Sequence, residues 1–586
     1  MTKQTFIKGK DRDLESSIST MQNKLVALDI NIEEAQWLNP VANCYSVHIR
    51  DKDCGVMFTK GKGATGKACL ASALGAYFER LSCNYFFADF YLGEEFANAE
   101  FTHYPTEKWF AVDGEEVPAG LMNKQLWDYF DPERELTPSH LYDFNSGNQE
   151  RGICALPYTR IRDTEIAYIP VNVIDNLFVS NGMSAGNTRF EARAQGLSEI
   201  FERAIKNQII AEGICLPEVP QSVIQQYPRI HQTCEELRGH GFHLRIADAS
   251  LGGRYPVMSI TLINPVNGSA VASFGAHPSF EVALERTLTE LLQGRRLDQL
   301  DVFQPPTFDN DEVASAENIE LHFIDSSGLL SYDFFRTEPD YEFVHWDFGG
   351  NTEQEYSFCV DLIHDMGYDI YIMDYTHLNV YACRILVPGL SDIYPTDELI
   401  WRNNNEGAKF REEFLTLDQC DPEQWMEIYD RLEEIGHCDL SRVAEFIGVV
   451  TDADTPWHTL RIGELKAHLC LAAQSEEAIA WVDWILHIDQ VTPERLHFFR
   501  CLKAVLEIKY DDQRDYGQYR NALGLLFGSD NVEQAIEIAE ARLLFHGLTF
   551  PGLALQGFNM HNALLAGYRK LHTAKEQFWA REVSNS

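Results

Sequence analysis

One helical signature occurs three times in this chain, and it limits what the chain can fold into. Its clearest copy is Gln195, Glu199, Glu202 and Arg203 in QGLSEIFER. An earlier copy runs through Ser72, Ala76, Glu79 and Arg80 in SALGAYFER, and a later one through Arg286, Glu290 and Gln293 in RTLTELLQ. Spacings of i, i+4 and i+7 put the polar groups on one helix face while Leu, Ile and Phe fill the other. Carboxylates brought together by separate helices repel one another unless cations sit between them. Acidic oxygens of this kind point to a divalent metal, and to magnesium in particular.

The surrounding composition narrows the function. With 586 residues, the chain is long enough for roughly two to four domains around a large core. Its 48 basic and 89 acidic residues give a net charge of −41, with no basic block. Such a surface repels phosphate backbones, so direct nucleic-acid binding is not expected, while a basic protein or peptide would be attracted. Thirteen cysteines, none in a Cys-x-x-Cys pair, sit in apolar contexts such as Cys69, Cys83 and Cys470. That is reduced cysteine used as a small hydrophobe, which suits a cytoplasmic protein. The opening MTKQTFIKGK lacks an apolar signal core, and no apolar run approaches the length of a membrane span.

Residues 1–404 alternate strand and helix, which reads as an α/β (α+β) domain of mixed sheets. A hairpin is expected over 43–51 and 54–63, followed by a helix over 65–87 and an irregular stretch over 88–150. A strand is expected over 166–174, a long helix after Gly186, then an antiparallel meander and a helix over 278–294. Residues 405–586 carry only helical periodicity. There SEEAIAWVDWIL (475–486) is echoed by VEQAIEIAEARL (532–543), a tetratricopeptide-like pattern suited to binding proteins or building a dimer.

Two motifs invite other readings. Gly61 to Lys67 nearly spells a P-loop, but Ala68 stands where a magnesium-binding Ser or Thr is needed, so a flexible glycine turn is the better reading. Gly182-Met-Ser184-Ala-Gly186 matches the nucleophile elbow of serine hydrolases, yet neither His277 nor His377 has an acidic partner in the required order. Backbone amides of SAGNT at a helix start, with Ser184, better suit an anion cradle. His277 follows a glycine turn beside the third signature helix and is a candidate base, although a buried histidine with satisfied nitrogens is the commoner case.

The paired FER helices, SNGMSAGNTR, ASFGAHP before Arg286-x-x-x-Glu290, and the opening GKDRDLESSI together resemble the YcaO family over the whole chain. The resemblance implies an ATP fold without a P-loop, magnesium held by glutamates, and ATP-dependent phosphorylation of a peptide backbone amide oxygen. It assigns Lys10 and Ser17 to N-terminal nucleotide contacts, and Ser184, Asn187, Glu191, Arg203 and Arg286 to nucleotide and phosphate contacts. Glu79, Glu199, Glu202 and Glu290 fall on the magnesium site. For the nearest branch it implies an accessory role in β-methylthiolation of a small-subunit ribosomal protein by a radical methylthiotransferase, with a homodimer formed through the C-terminal helices.

Two departures from the family pattern stand out. Azoline-forming relatives end in a proline-rich tail, whereas this sequence ends WAREVSNS, so cyclodehydration is not expected. Ala76 occupies a step where the family pattern has Glu, and alanine cannot ligate a metal. Weakened ATP turnover with surviving nucleotide binding is the expected result, and a nucleotide-binding adaptor without turnover is the alternative.

Overall fold

The computed structural model describes residues 4–488 and 492–585. It opens with helix α1 (Leu14–Ala27), capped by Asp13, whose side chain accepts the Ser16 amide. Strands β1 (Ile32–Val41), β2 (Cys44–Asp51) and β3 (Phe58–Gly63) form an antiparallel sheet in that order. Helix α2 (Gly66–Ser82) follows, with Thr65 as its N-cap.

Strands β4 (Lys108–Phe110), β5 (Ile153–Arg160), β6 (Ile166–Pro170) and β7 (Met183–Gly186) lead into the long helix α3 (Arg189–Ala211). The meander β8 (His243–Asp248), β9 (Val257–Asn264) and β10 (Ser269–Ala276) precedes α4 (Phe280–Leu291). Helix α5 (Thr352–Asp365) and strands β11 (Tyr371–Tyr375) and β12 (Tyr381–Leu386) complete this part. The second sheet runs β4-β5-β11-β12-β7 with β6 on β5, the third runs β10-β9-β8, and every pairing between these strands is antiparallel.

The layers explain why β10 is buried along its whole length. Ala270, Ala272 and Phe274 face α3, where Leu197, Ile200, Phe201 and Ile205 meet them. The alternate residue Val271 shares the opposite core with Leu284 and Leu288 of α4. A strand covered on both faces loses the apolar–polar alternation that would otherwise mark it. The small residues of β10 let both helices come close.

Three departures from the sequence reading have local causes. The expected strand over 166–174 stops at Pro170, and Val171–Phe178 is helical, burying Val171, Ile174, Leu177 and Phe178. Strand β1 went unseen because IEEAQWLNPV is an exposed edge without apolar alternation. Strand β5 carries Pro157, which argues against a strand when met in sequence.

Beyond 405 the named elements among the described residues are all helical. They build a separate core around Phe414, Trp425, Leu432, Leu465, Leu502 and Ala535. The two echoed segments form helices Ala478–Ile485 and Ser529–Ala539. The last helix, α6 (Asn559–Asn585), leaves that core and packs Leu564, Tyr568 and Leu571 into the core of the second sheet. There Lys575 Nζ donates to Asn84 Oδ1 and, at 2.8 Å, to the His103 carbonyl, and Tyr568 donates to the Thr102 carbonyl. No helix among the described residues is long and apolar enough to cross a membrane.

Candidate active site

The three signature helices turn their polar faces into one cleft of about 1170 Å³. Helix α2 supplies Ser72, Ala76, Glu79 and Arg80; α3 supplies Gln195, Glu199, Glu202, Arg203 and Lys206; α4 supplies Arg286 and Glu290, with Gln293 just past its C-terminus. Their opposite faces carry the core residues, such as Tyr77 and Phe78 on α2, and Ile200 and Phe201 on α3. Eleven lysines and arginines line the cleft against nine acids, a local reversal in a chain of charge −41. An anion is drawn to that cleft and repelled by the rest of the surface.

One end of the cleft is a polar cluster around Glu191, which is only 3% exposed. Its carboxylate accepts the Asp11 amide at 2.9 Å and Asn187 Nδ2 at 3.0 Å, and it pairs with Lys10 Nζ at 3.3 Å. Lys10 also donates to Gln195 Oε1 at 2.7 Å, and Ser17 Oγ donates to Asn187 Oδ1 at 2.8 Å. Burial alone would raise the Glu191 carboxyl, but Lys10, the Asp11 amide and Asn187 together hold it below the usual range. Lys10 and Ser17 of the N-terminal segment therefore meet Asn187 and Glu191, far along the sequence, in one place.

The other end gathers Glu79, Glu199, Glu202 and Glu290. Glu199 pairs with Arg203 at 2.7 Å, Glu290 pairs with Lys62 of β3, and Glu202 lies 4.0 Å from Arg286 while accepting the Ala276 amide at 3.1 Å. Burial and the charge of Glu199 push the Glu79 carboxyl up to about 8. Burial pulls Lys62 down to about 8, against the opposing pull of Glu202 and Glu199. Among the described residues no trio of His, Cys, Asp or Glu side chains is arranged as a preformed metal site. The four glutamates share a cleft, but Glu199, Glu202 and Glu290 are turned to internal cations, so a ready-made carboxylate shell is not what the fold presents.

Ser184 does not join the cleft. Ala185, Gly186 and Asn187 line it, and strand alternation turns Ser184 away toward Gly196 of α3. It is 0% exposed and its hydroxyl has no partner. The nucleotide contact expected at Ser184 therefore stays a proposal, and a hydroxyl this buried gives a hydrolase substrate no access. The P-loop lookalike also resolves differently from a flexible turn. Gly61 and Gly63 lie inside β3, where an added Cβ would come within 2.3 Å of the Cys69 carbonyl oxygen and 2.7 Å of the Cys69 nitrogen, so close packing on α2 requires them. Lys67 is spent on Glu15 at 2.6 Å.

His277 is no free base. Its Nδ1 accepts the Ser279 amide at 3.0 Å, and its Nε2 lies 3.6 Å from Glu355 Oε2. Burial, with Arg286, Lys10 and Lys8 nearby, lowers it to about 3. Lys62, Lys206, Asp11 and Glu355 were missed in the sequence as site residues. Lys62 left a trace there inside the P-loop lookalike, and Asp11 inside the opening GKDRDLESSI.

Comparisons with known proteins show which family the chain resembles along its length. A family model described as a YcaO cyclodehydratase binding ATP and Mg2+ matches residues 60–391, and one for the YcaO cyclodehydratase C-terminal domain matches residues 407–577. An uncharacterized Haemophilus influenzae protein is 53% identical over 99% of this chain and 100% of its own length. The Escherichia coli protein named ribosomal protein S12 methylthiotransferase accessory factor YcaO is 52% identical over 99% of this chain and 100% of its own. Among solved structures, YcaO from Methanopyrus kandleri bound with AMPPCP and Mg2+ is similar at 19% identity and a TM-score of 0.42, covering 67% of this chain and 95% of that one. A heterocyclase in complex with substrate and cofactor is similar at 15% identity and a TM-score of 0.43, covering 66% and 54%.

The residues present fit ATP and Mg2+. Arg80 Nε, Arg203 Nη1 and Arg286 Nε are buried N–H groups with no partner, all on arginines that line the cleft. Buried donors of this kind are costly unless an anion accepts from them. The neighbouring acids offer only oxygen, which is the chemistry magnesium takes.

Proposed function

The chain belongs to the YcaO family, and from that premise we propose that it uses Mg2+-ATP to activate a backbone amide of a peptide or protein. The observation that carries this reading is the convergence of three acid- and arginine-bearing helix faces on one net-basic cleft in a strongly acidic protein. Lys10, Ser17, Asn187 and Glu191 would fix the nucleotide at one end, while Arg203 and Arg286 bind phosphate oxygens at the other. Glu79, Glu199, Glu202 and Glu290 would hold the cation, which supplies charge neutralisation at the phosphates. Phosphate binding by Arg203 and Arg286 would loosen their hold on Glu199 and Glu202, giving those carboxylates to the metal.

In this reading residues 1–404 carry the chemistry and residues 405–586 form a tetratricopeptide-like unit that meets protein partners and a second copy of the chain in the cytoplasm. The E. coli relative's name supports a role beside a ribosomal-protein methylthiotransferase. Calorimetric titration with ATP, with and without Mg2+, followed by phosphate-release assays with ribosomal protein S12 and its methylthiotransferase, tests the proposal. Absence of Mg2+-dependent binding overturns it. Tight binding without release under any condition favours the adaptor reading, which Ala76 supports by leaving a small apolar side chain in the cleft.

A further inference from the structure

The segment before α1 crosses the cleft as a strap, and it brings Lys8, Lys10 and Arg12 to the lining. Polar contacts hold it at separated points. The Thr5 carbonyl accepts the Leu14 amide at 2.9 Å, and the Thr5 amide and hydroxyl both donate to Glu15 at 2.8 Å. The Asp11 carboxylate accepts from Thr188 and, at 2.9 Å, from Thr352. Between these points lies Gly9, at φ +78°, where an added Cβ would sit 2.8 Å from His277 Nε2. The strap therefore lies directly on the imidazole.

Beneath that imidazole is Glu355 of α5, 1% exposed, whose Oε2 has no hydrogen-bond partner. Because His277 Nδ1 accepts the Ser279 amide, the neutral ring carries its proton on Nε2, the atom facing both Glu355 and Gly9. With Nδ1 accepting the Ser279 amide and Glu355 Oε2 3.6 Å from Nε2, beyond hydrogen-bond reach but close enough for electrostatic attraction, the ring has one favoured orientation. Nothing bulkier than glycine fits above it.

We propose that Gly9, His277 and Glu355 form a seat for the N-terminal strap, and that Glu355 is a positioning residue which, through His277 and Gly9, sets Lys10 against Glu191 and Gln195. The seat lies outside the nucleotide and metal contacts assigned above, but its effect on ATP rests on the proposed function. Lys10 reaches its partners from a segment with few apolar anchors, so its placement depends on what the strap lies upon.

Two measurements on the full chain test the seat. Hydrogen exchange at the Asp11 amide, which donates to Glu191, should accelerate in Gly9→Ala and Glu355→Leu and remain near the parent rate in Glu355→Gln, which keeps a polar group under His277. Binding of Mg2+ with a non-hydrolysable ATP analogue should weaken about tenfold or more in Gly9→Ala and Glu355→Leu, the size of one lost charge-assisted contact. In a Lys10→Ala background Gly9→Ala should add less than about twofold, because the seat acts through Lys10. Unchanged Asp11 exchange in both disruptive variants, or full additivity with Lys10→Ala, overturns the seat. If the parent chain binds no ATP analogue, the proposed function fails, and the exchange measurement alone decides the seat.

Discussion

Arg203 and Glu199 stand one helical turn apart on α3 and pair at 2.7 Å, while Nη1 of the same arginine is buried without a partner. One arm of the guanidinium is used and the other is free. Arg203 also lies over the Phe323 ring at 4.7 Å, which fixes the plane of the fork. Arg203→Lys would keep the charge and lose the fork. Affinity for Mg2+-ATP should fall about tenfold or more in calorimetry, with thermal stability little changed.

Glu202→Gln separates charge from structure. Glutamine can still accept the Ala276 amide, so stability should stay within about 1 kcal/mol of the parent. The lost charge should lower Mg2+ affinity and ATP turnover by about a hundredfold, read by phosphate release against Mg2+ concentration. Equal turnover in the variant would remove Glu202 from the metal-binding set.

Ala76 lies one turn before Glu79 and lines the same cleft. Ala76→Glu should tighten Mg2+ binding by about tenfold or more and raise ATP turnover, since it adds a carboxylate where the cleft has only a methyl group. A substitution that alters neither quantity would show that position 76 lies outside the metal shell.

Ser184→Ala should be neutral or stabilising by about 1 kcal/mol in denaturant titration, because it deletes a buried hydroxyl with no partner. ATP-analogue affinity should be unchanged. A tenfold loss of affinity would place Ser184 among the nucleotide contacts.

Lys575, 0% exposed, is lowered by burial to about 7, with Glu107 pulling the other way. Between about pH 7 and 10.5 the unfolded chain then binds more protons at this group than the folded chain, so its contribution to stability grows as pH rises through that window. Lys575→Met should abolish that rise. Paired thermal melts of parent and variant across pH 7 to 10 check it, and parallel curves would place the titration elsewhere.

The sequence revealed the site better than it revealed the sheets. The polar faces of α2, α3 and α4 were legible because i, i+4, i+7 spacing survives whatever the helices pack against. Glu79, Glu199, Glu202 and Glu290 consequently share one cleft in the fold. The burial of Ser184 was not legible because a four-residue strand gives no sign of which alternate residue faces the cleft. His277 and Glu355 stayed hidden as a pair because no local pattern encodes a contact across 78 residues. Strand β1 and the helix after Pro170 were misread for opposite reasons, one being polar at an edge and the other β-branched yet buried.

Helix α6 contributes Leu564, Tyr568 and Leu571 to the same core as β5, β11 and α2. During synthesis, the first sheet-bearing half must therefore wait for some of the final residues to be translated before its packing is complete. A nascent chain paused after residue 405 would hold an unfinished interior, exposing Phe87, Phe96 and Phe101 to chaperones until the tail arrives.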